Sequence, residues 1–163
     1  MRRLRRAALV AALCAGPAAA RADLVDFLLD ASVGVPWQTS PGISRLPTNV
    51  MVTPGILLVG WVSAELGVVG AVAQFGQPAR WALRPMVGLY PPFMPLYAKL
   101  VVDVANLNQA GGLGVLTSVG GALGLKFGLG PVALFAEGDY IPQAVNGKNL
   151  HVVEGRAGVG VKL

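Results

Sequence analysis

"HVVEGRAGVGVKL" closes the chain at residues 151–163, and its side chains alternate in character with a period of two. The charged residues Glu154, Arg156 and Lys162 occupy even positions. The odd positions hold the apolar residues Val153, Ala157, Val159, Val161 and Leu163. Because successive side chains of a β-strand point to opposite faces, this pattern predicts a strand with one charged and one apolar face.

The same alternation recurs along most of the chain. It predicts eight strands, at residues 24–35, 49–60, 64–75, 79–90, 95–106, 112–128, 131–141 and 151–163. Segments rich in Pro, Gly, Ser and Asn separate them, and the longest predicted loops span 36–49 and 142–149. Thirteen charged residues fall on the faces opposite the apolar ones: Asp26, Asp30, Glu65, Arg80, Arg84, Lys99, Asp103, Lys126, Glu137, Asp139, Glu154, Arg156 and Lys162.

Residues 1–22 have the organisation of a secretory signal peptide. Four arginines lie in the first six residues, a short apolar run follows, and small residues precede Asp23. We therefore predict cleavage after Ala22 and a single domain over 23–163; a disordered basic tail is the alternative. The apolar run is too short to span a bilayer. Cys14, the one cysteine, would leave with the leader.

Removal of the leader changes the charge argument. The remaining chain carries eight basic and eight acidic side chains, so the sequence pI of about 9.9 does not indicate a nucleic-acid partner. One histidine and no remaining cysteine exclude the usual zinc ligand sets. We expect no metal, no cofactor and no catalytic residues.

An exported chain with alternating faces has two ways to bury its apolar side chains. A soluble β-sandwich or a lipocalin-like barrel places them inside, whereas a transmembrane barrel turns them toward lipid. Export, the even strand number, segments of 11 or more residues and a charged face rich in Gly, Ala and Ser favour the second. The prediction is an all-β, eight-stranded antiparallel up-and-down transmembrane β-barrel. The apolar run 54–75, interrupted by Glu65, leaves a multi-helix membrane protein as a further alternative.

Aromatic residues lie near the ends of the predicted strands. With both termini on the periplasmic side, Trp37, Trp81 and Tyr140 fall near outer ends, and Trp61 and Phe127 near inner ends. Such positions predict interfacial aromatic girdles, the alternative being ordinary core aromatics. Pro54 and Pro85 lie within predicted strands, so either each lies at a bulge or a strand end, or the predicted strand boundaries are wrong.

In strand number, length and alternation the chain resembles the small eight-stranded outer-membrane β-barrel proteins, such as the OmpA transmembrane domain and OmpX. The resemblance covers residues 23–163 and rests on no specific motif. It implies an outer-membrane location, contact with outer-membrane lipid and assembly by the outer-membrane insertase. The final segment looks like the signal that this insertase reads, although family members usually end in an aromatic residue and this chain ends in Leu163.

The sequence says less about the function of the protein than about its architecture. Seven acids and six bases on the predicted lumen face indicate a paired network that plugs the barrel, and thus a structural, envelope or undefined surface-binding role. A proton or small-ion path is a sharper alternative. A lipid-modifying barrel enzyme is another, with His151 at the outer rim and Ser40 or Ser44 approaching it. The sequence leaves the oligomeric state open.

Overall fold

The computed structural model describes residues 25–40, 42–107, 116–145 and 148–163, without the side chains of residues 144, 145 and 148. The predicted signal peptide at residues 1–22 lies outside the described residues, so its cleavage stays a prediction. The described part contains no helix long and apolar enough to cross a membrane. The proposed helix over 54–75 is wrong, because this segment forms two strands and the turn between them.

The described residues form nine β-strands. These are β1 (Val25–Ser40), β2 (Ser44–Arg45), β3 (Asn49–Leu58), β4 (Val62–Ala71), β5 (Arg80–Leu89), β6 (Leu96–Ala105), β7 (Leu116–Leu129), β8 (Val132–Val145) and β9 (Lys148–Lys162). All pairings between them are antiparallel, and β3 to β9 follow one another in sequence order. Because β1 pairs with both β3 and β9, eight strands close into an up-and-down barrel, as predicted.

The final segment of the chain closes this barrel. Strand β9 pairs with β1 from Lys162 opposite Leu28 to His151 opposite Ser40, with one bulge between Gln38 and Ser40. The amide of Leu163 extends the ladder by donating to the carbonyl oxygen of Phe27 at 2.9 Å. The barrel therefore has no free edge along this seam, and the predicted role of residues 151–163 as the last strand is confirmed.

The strands extend to different lengths at the two ends of the barrel. The end where β1 begins and β9 finishes, here called the terminal end, has short connections over 59–61, 90–95 and 130–131. At the opposite end, the loop end, β1, β8 and β9 rise above the other strands. The predicted loops 36–49 and 142–149 are in part wrong, because these strands and β2 occupy much of them. Cross-strand hydrogen bonding outweighs the local turn preference of their Pro, Ser and Gly residues.

Side chains of the barrel strands alternate between an apolar outer face and a charged interior. Large outward-facing side chains such as Phe27, Val87, Leu100 and Leu123 are about half exposed or more. The thirteen charged residues predicted for the lumen all have the inward parity of their strands. This distribution is the reverse of that in a soluble β-sandwich or lipocalin-like barrel.

The two mid-strand prolines interrupt the sheet without shifting it. The β3–β4 pairs stop at Val52–Val68 and resume at Gly55–Glu65 in unchanged register, beside Pro54. The β5–β6 pairs likewise stop at Leu83–Val104 and resume at Met86–Val101, beside Pro85. Each proline keeps its partner on the other side, where Pro54 faces Leu29 and Pro85 faces Leu66. The expectation of a bulge or strand end is wrong, since a missing N–H removes ladder bonds on one side only.

Gly120 marks the point where β7 and β8 diverge. The β7–β8 pairs end at Gly121–Tyr140, beyond which β7 continues along β6 and β8 along β9. A Cβ atom at Gly120 would overlap the carbonyl oxygen of Tyr140 and lie 3.0 Å from the Cα of Ile141. Backbone atoms have no rotamer with which to avoid this overlap, so the close approach requires glycine.

We predict that Gly120→Ala lowers the free energy of unfolding by about 1–3 kcal/mol, the usual cost of overpacking. Gly128→Ala is the matched control, because a Cβ at Gly128 meets nothing within 4 Å. Urea unfolding of the refolded barrel in detergent measures both. Equal stability of the two variants would contradict the close approach of β7 to β8.

Candidate functional site

The upper cluster comprises Arg84, Arg156, Asp103, Asp139 and Glu154. Arg84 Nε lies 2.6 Å from Asp103 Oδ1, and its Nη1 lies 2.9 Å from Glu154 Oε2 and 3.4 Å from Asp139 Oδ2. Arg156 also pairs with Asp139 and with Glu154. Two guanidinium groups from β5 and β9 thus hold three carboxylates from β6, β8 and β9, all of them buried.

Polar neutral side chains also bind Arg156. Its Nη1 donates to Ser32 Oγ of β1 at 3.0 Å, and its Nη2 donates to Asn49 Oδ1 of β3 at 3.0 Å. Ser32 lies in phase with Asp26 and Asp30, so its parity indicates the inward face of β1. The apolar character of 49–60 concealed Asn49, which begins β3 directly at the level of this cluster.

The lower cluster is centred on Lys99 of β6. Its Nζ lies 2.9 Å from Glu65 Oε2 of β4 and 3.2 Å from Glu137 Oε2 of β8. The other oxygen of Glu65 accepts hydrogen bonds from Ser63 Oγ at 2.5 Å and from Tyr90 OH at 2.7 Å. The Tyr90 ring stacks on the Tyr97 ring with centroids 5.0 Å apart. Sequence reasoning did not assign Ser63, Tyr90 or Tyr97 to the site.

Two simpler ion pairs lie nearer the terminal end. Lys126 Nζ of β7 lies 3.0 Å from Asp30 Oδ2 of β1. Lys162 Nζ lies 2.7 Å from Asp26 Oδ2, and the Lys162 side chain is 55% exposed. These pairs place a cation against each carboxylate of β1, so ion pairs extend from the upper cluster to the terminal end.

Apolar side chains fill part of the space between the two clusters. Met51, Val69, Met86, Val101 and Ala122 form one buried group on β3 to β7, with Ala82 packed against it. An eight-stranded barrel encloses just enough space for side chains to fill it. The interior is therefore a packed mixture of ion pairs and aliphatic groups.

Of the thirteen residues predicted for the lumen, the structure brings twelve into ion pairs and leaves one apart. Ten are buried, Lys126 and Arg80 are partly buried, and Lys162 lies at the terminal rim. Arg80 makes no ion pair with any described residue, and its Nε atom is buried without a hydrogen-bond partner. Parity predicted the inward direction of Arg80, but it does not reveal which charges find partners.

The five aromatic residues predicted for the interfaces all project outward and are exposed. Trp37 and Tyr140 both lie opposite Val153, and Trp81 lies opposite Gly70, all near the loop end. Trp61 and Phe127 lie at the terminal end, where Trp61 packs edge-on against Phe93 with ring centroids 6.1 Å apart. None of the five belongs to the interior core.

His151 lies on the outer face near the loop end. Its Nδ1 is 2.6 Å from Tyr140 OH, and the two rings stack with centroids 5.8 Å apart. Ser40 is the cross-strand partner of His151, yet within the described residues no serine hydroxyl or carboxylate bonds to the imidazole. Among the described residues, the partner of the imidazole is therefore the hydroxyl of Tyr140.

No protein-family model matches the chain, and no curated protein matches it. Among solved structures, Neisserial surface protein A matches with a TM-score of 0.61 and 18% sequence identity, over 84% of this chain and 97% of that one. The fold is that of the small eight-stranded outer-membrane β-barrel proteins. At this level of identity the small-barrel likeness is one of architecture, and it transfers no residue roles.

We predict that Glu154→Gln lowers the free energy of unfolding of this small barrel by about 3–5 kcal/mol. The substitution keeps the side-chain size but leaves two buried guanidinium groups short of a counter-charge. Lys162→Gln is the control, because its partly exposed pair with Asp26 is worth at most about 1 kcal/mol. Urea unfolding measures both variants, and equal losses would show that the upper cluster is not a stabilising centre.

Proposed function

We propose that the chain is an exported outer-membrane β-barrel with a structural or surface-exposed role in the envelope of a Gram-negative cell, without catalytic activity. In this proposal the ion-pair network closes the lumen to solutes. Outer-membrane lipid covers the outer face, and the outer-membrane insertase assembles the barrel. The likeness to Neisserial surface protein A supports a surface protein of the same general kind.

The observation that carries the proposal is the separation of charge across the wall of the barrel. All thirteen charged residues of the predicted lumen set have inward parity, while the outer face carries large apolar side chains. A Lys or Arg on the lipid-facing side of a membrane barrel costs about 2–4 kcal/mol at the bilayer midplane. A water-exposed barrel has no such constraint and would carry charge outside.

Strand length supports the same conclusion. Strands β3, β4, β5 and β6 each contain ten residues, and at about 3.3 Å per residue each spans roughly 33 Å. At the tilt of about 35–45° found in such barrels, this length matches an apolar band about 25 Å tall. Exposed aromatic side chains at both ends of these strands are suited to the two interfaces.

The packed interior supports closure of the lumen. Arg84 reaches across from β5 to carboxylates on β6, β8 and β9, and Lys99 joins β4, β6 and β8. Passage of a hydrated ion along the axis would require these buried pairs to separate. Separation would leave buried charges without partners, which is strongly unfavourable.

We predict that the loop end faces the cell exterior. Ile43 at the loop end and Phe93 at the terminal end are both more than four-fifths exposed, so either position accepts a cysteine. The remainder of the predicted mature chain contains no cysteine, since Cys14 lies in the predicted leader. A membrane-impermeant maleimide applied to intact cells is expected to label Ile43→Cys and to spare Phe93→Cys until the outer membrane is disrupted.

Both cysteine variants serve as controls for each other, because each removes an exposed apolar side chain outside the ion-pair network. Heat-modifiable gel migration checks that both are folded. The reverse labelling pattern would contradict the orientation. Recovery of the protein outside the outer-membrane fraction would contradict the proposed location.

We predict that the purified barrel in a planar lipid bilayer passes no steady current of porin size. Arg84→Ser is expected to produce measurable conductance, because it removes the side chain that crosses the lumen. It also leaves Asp103 without a cation, and Asp139 and Glu154 with Arg156 alone. Arg45→Ser is the control, since Arg45 is exposed on β2 and forms no part of the clusters. Steady porin-sized current through the wild-type protein would disprove closure.

A further inference from the structure

The loop end contains a cavity of about 130 Å³ above the upper cluster. We call it the mouth cavity; Arg80, Gln77, Asn49, Asn106 and Gln143 are among the residues that line it. Arg84 and Asp103 contribute to its lining as well, although both are already joined by an ion pair. The cavity thus combines several amide groups and Arg80, which pairs with no described carboxylate, with a lining that is otherwise largely apolar.

Arg80 differs from the other interior cations in this respect. Arg84, Lys99, Lys126, Arg156 and Lys162 each form at least one ion pair with a described carboxylate. In the described part of the chain Arg80 forms none, and its buried Nε has no hydrogen-bond acceptor. A buried guanidinium nitrogen without an acceptor is costly, and an oxyanion would satisfy it.

The sequence of the loop end offers no internal substitute for such an anion. In sequence, the strand ends and connections over 36–48, 72–79, 106–117 and 142–153 contain Arg45, Lys148 and His151 but no Asp or Glu. Residues 108–115 and 146–147, which lie outside the described part, also contain no acid. The nearest carboxylates belong to the upper cluster, where Asp103, Asp139 and Glu154 are held by Arg84 and Arg156.

The backbone near the mouth cavity is held in an uncommon conformation. Asn106, which directly follows β6, is buried and has a φ of 61°. Non-glycine residues adopt this region rarely, and asparagine is among the residue types that tolerate it. Asn106 lines the cavity, and the amide of the following Leu107 donates to the carbonyl oxygen of Trp81 on β5 at 3.1 Å.

We propose that the mouth cavity is a binding site for a small oxyanion group, of the phosphate or sulfate type, with Arg80 as its anchoring residue. The planar guanidinium donates two parallel hydrogen bonds to such a group, and the neighbouring amides supply further donors. The upper cluster, which lies below the cavity, contains three carboxylates and two arginines. Its net negative charge repels an anion and lowers the affinity of the cavity for it. The site is independent of whether the lumen conducts.

The test titrates inorganic phosphate into the refolded, isotope-labelled barrel in uncharged detergent at constant ionic strength. The Nε–H resonance of Arg80 and calorimetry report binding. Arg80→Gln is expected to weaken phosphate binding roughly tenfold or more, since it removes the charge-assisted donors. Arg45→Gln is the matched control, because it removes one cation from the same end of the barrel outside the cavity, and its expected effect is less than about twofold.

Arg80→Lys provides a second variant that keeps the charge while removing Nε, and it is expected to fall between the wild type and Arg80→Gln. Far-UV circular dichroism and heat-modifiable migration establish that each variant is folded. Equal weakening by Arg80→Gln and Arg45→Gln would overturn the proposal in favour of a diffuse positive field. Absence of saturable phosphate binding to the wild-type barrel would overturn it as well.

A further arm identifies the source of the oxyanion. The barrel is reconstituted in phosphatidylcholine vesicles, with and without phosphatidic acid, in phosphate-free buffer. A shift of the Arg80 resonance on addition of phosphatidic acid supports the site with a lipid phosphate as its occupant. A shift that requires inorganic phosphate supports the site with a soluble occupant, and no shift under either condition contradicts the proposal.

Discussion

Charged side chains inside a narrow membrane barrel must find partners there, and the rest of the structure depends on this constraint. Each inward carboxylate of the described strands meets at least one cation, and the two guanidinium groups of the upper cluster are shared among three carboxylates. Sharing requires strands that are distant in sequence to meet at one level of the barrel. The network therefore joins residues as far apart as Ser32 and Arg156.

The same constraint specifies the register of the sheet. Because side chains alternate with a period of two, a one-residue slip of any strand would move its charges to the lipid-facing side. Such a slip would also break the ion pairs inside the barrel. Exposure of charge to lipid and loss of these pairs would both raise the free energy of the slipped register. Replacement of ion pairs by apolar residues often leaves stability unchanged, so we assign these charges to the specification of one register more than to net stability.

The pairing of interior charges differs between the two ends of the barrel. Toward the terminal end, every described interior cation has a carboxylate partner, and the connections are short. Toward the loop end, β1, β8 and β9 extend beyond the remaining strands. The mouth cavity lies at this end and includes Arg80, which pairs with no described carboxylate. The proposed oxyanion site depends on this difference, because Arg80 at the loop end is the interior cation that pairs with no described carboxylate.

Much of the architecture could be predicted because it depends on parity alone. The phases of Glu154, Arg156 and Lys162 identify the inward face of the last strand from the sequence. The same argument holds for the other barrel strands that carry charge, but not for β3, which carries none. Local composition misled in two places. The Pro- and Ser-rich segment 36–49 has the composition of a loop, but cross-strand pairing holds much of it in an extended conformation. Pro54 and Pro85 indicate strand breaks, but each strand continues because the pairing is interrupted on one side only.

The sequence by itself determined which residues face inward, because the two-residue repeat of a strand is a local property of the backbone. Only the tertiary structure decided which of those residues meet. The grouping of Arg84 with Asp103, Asp139 and Glu154 depends on the register and closure of the whole barrel. The isolation of Arg80 is likewise invisible in the sequence, because it follows from where the strands end and from which carboxylates other cations have already engaged.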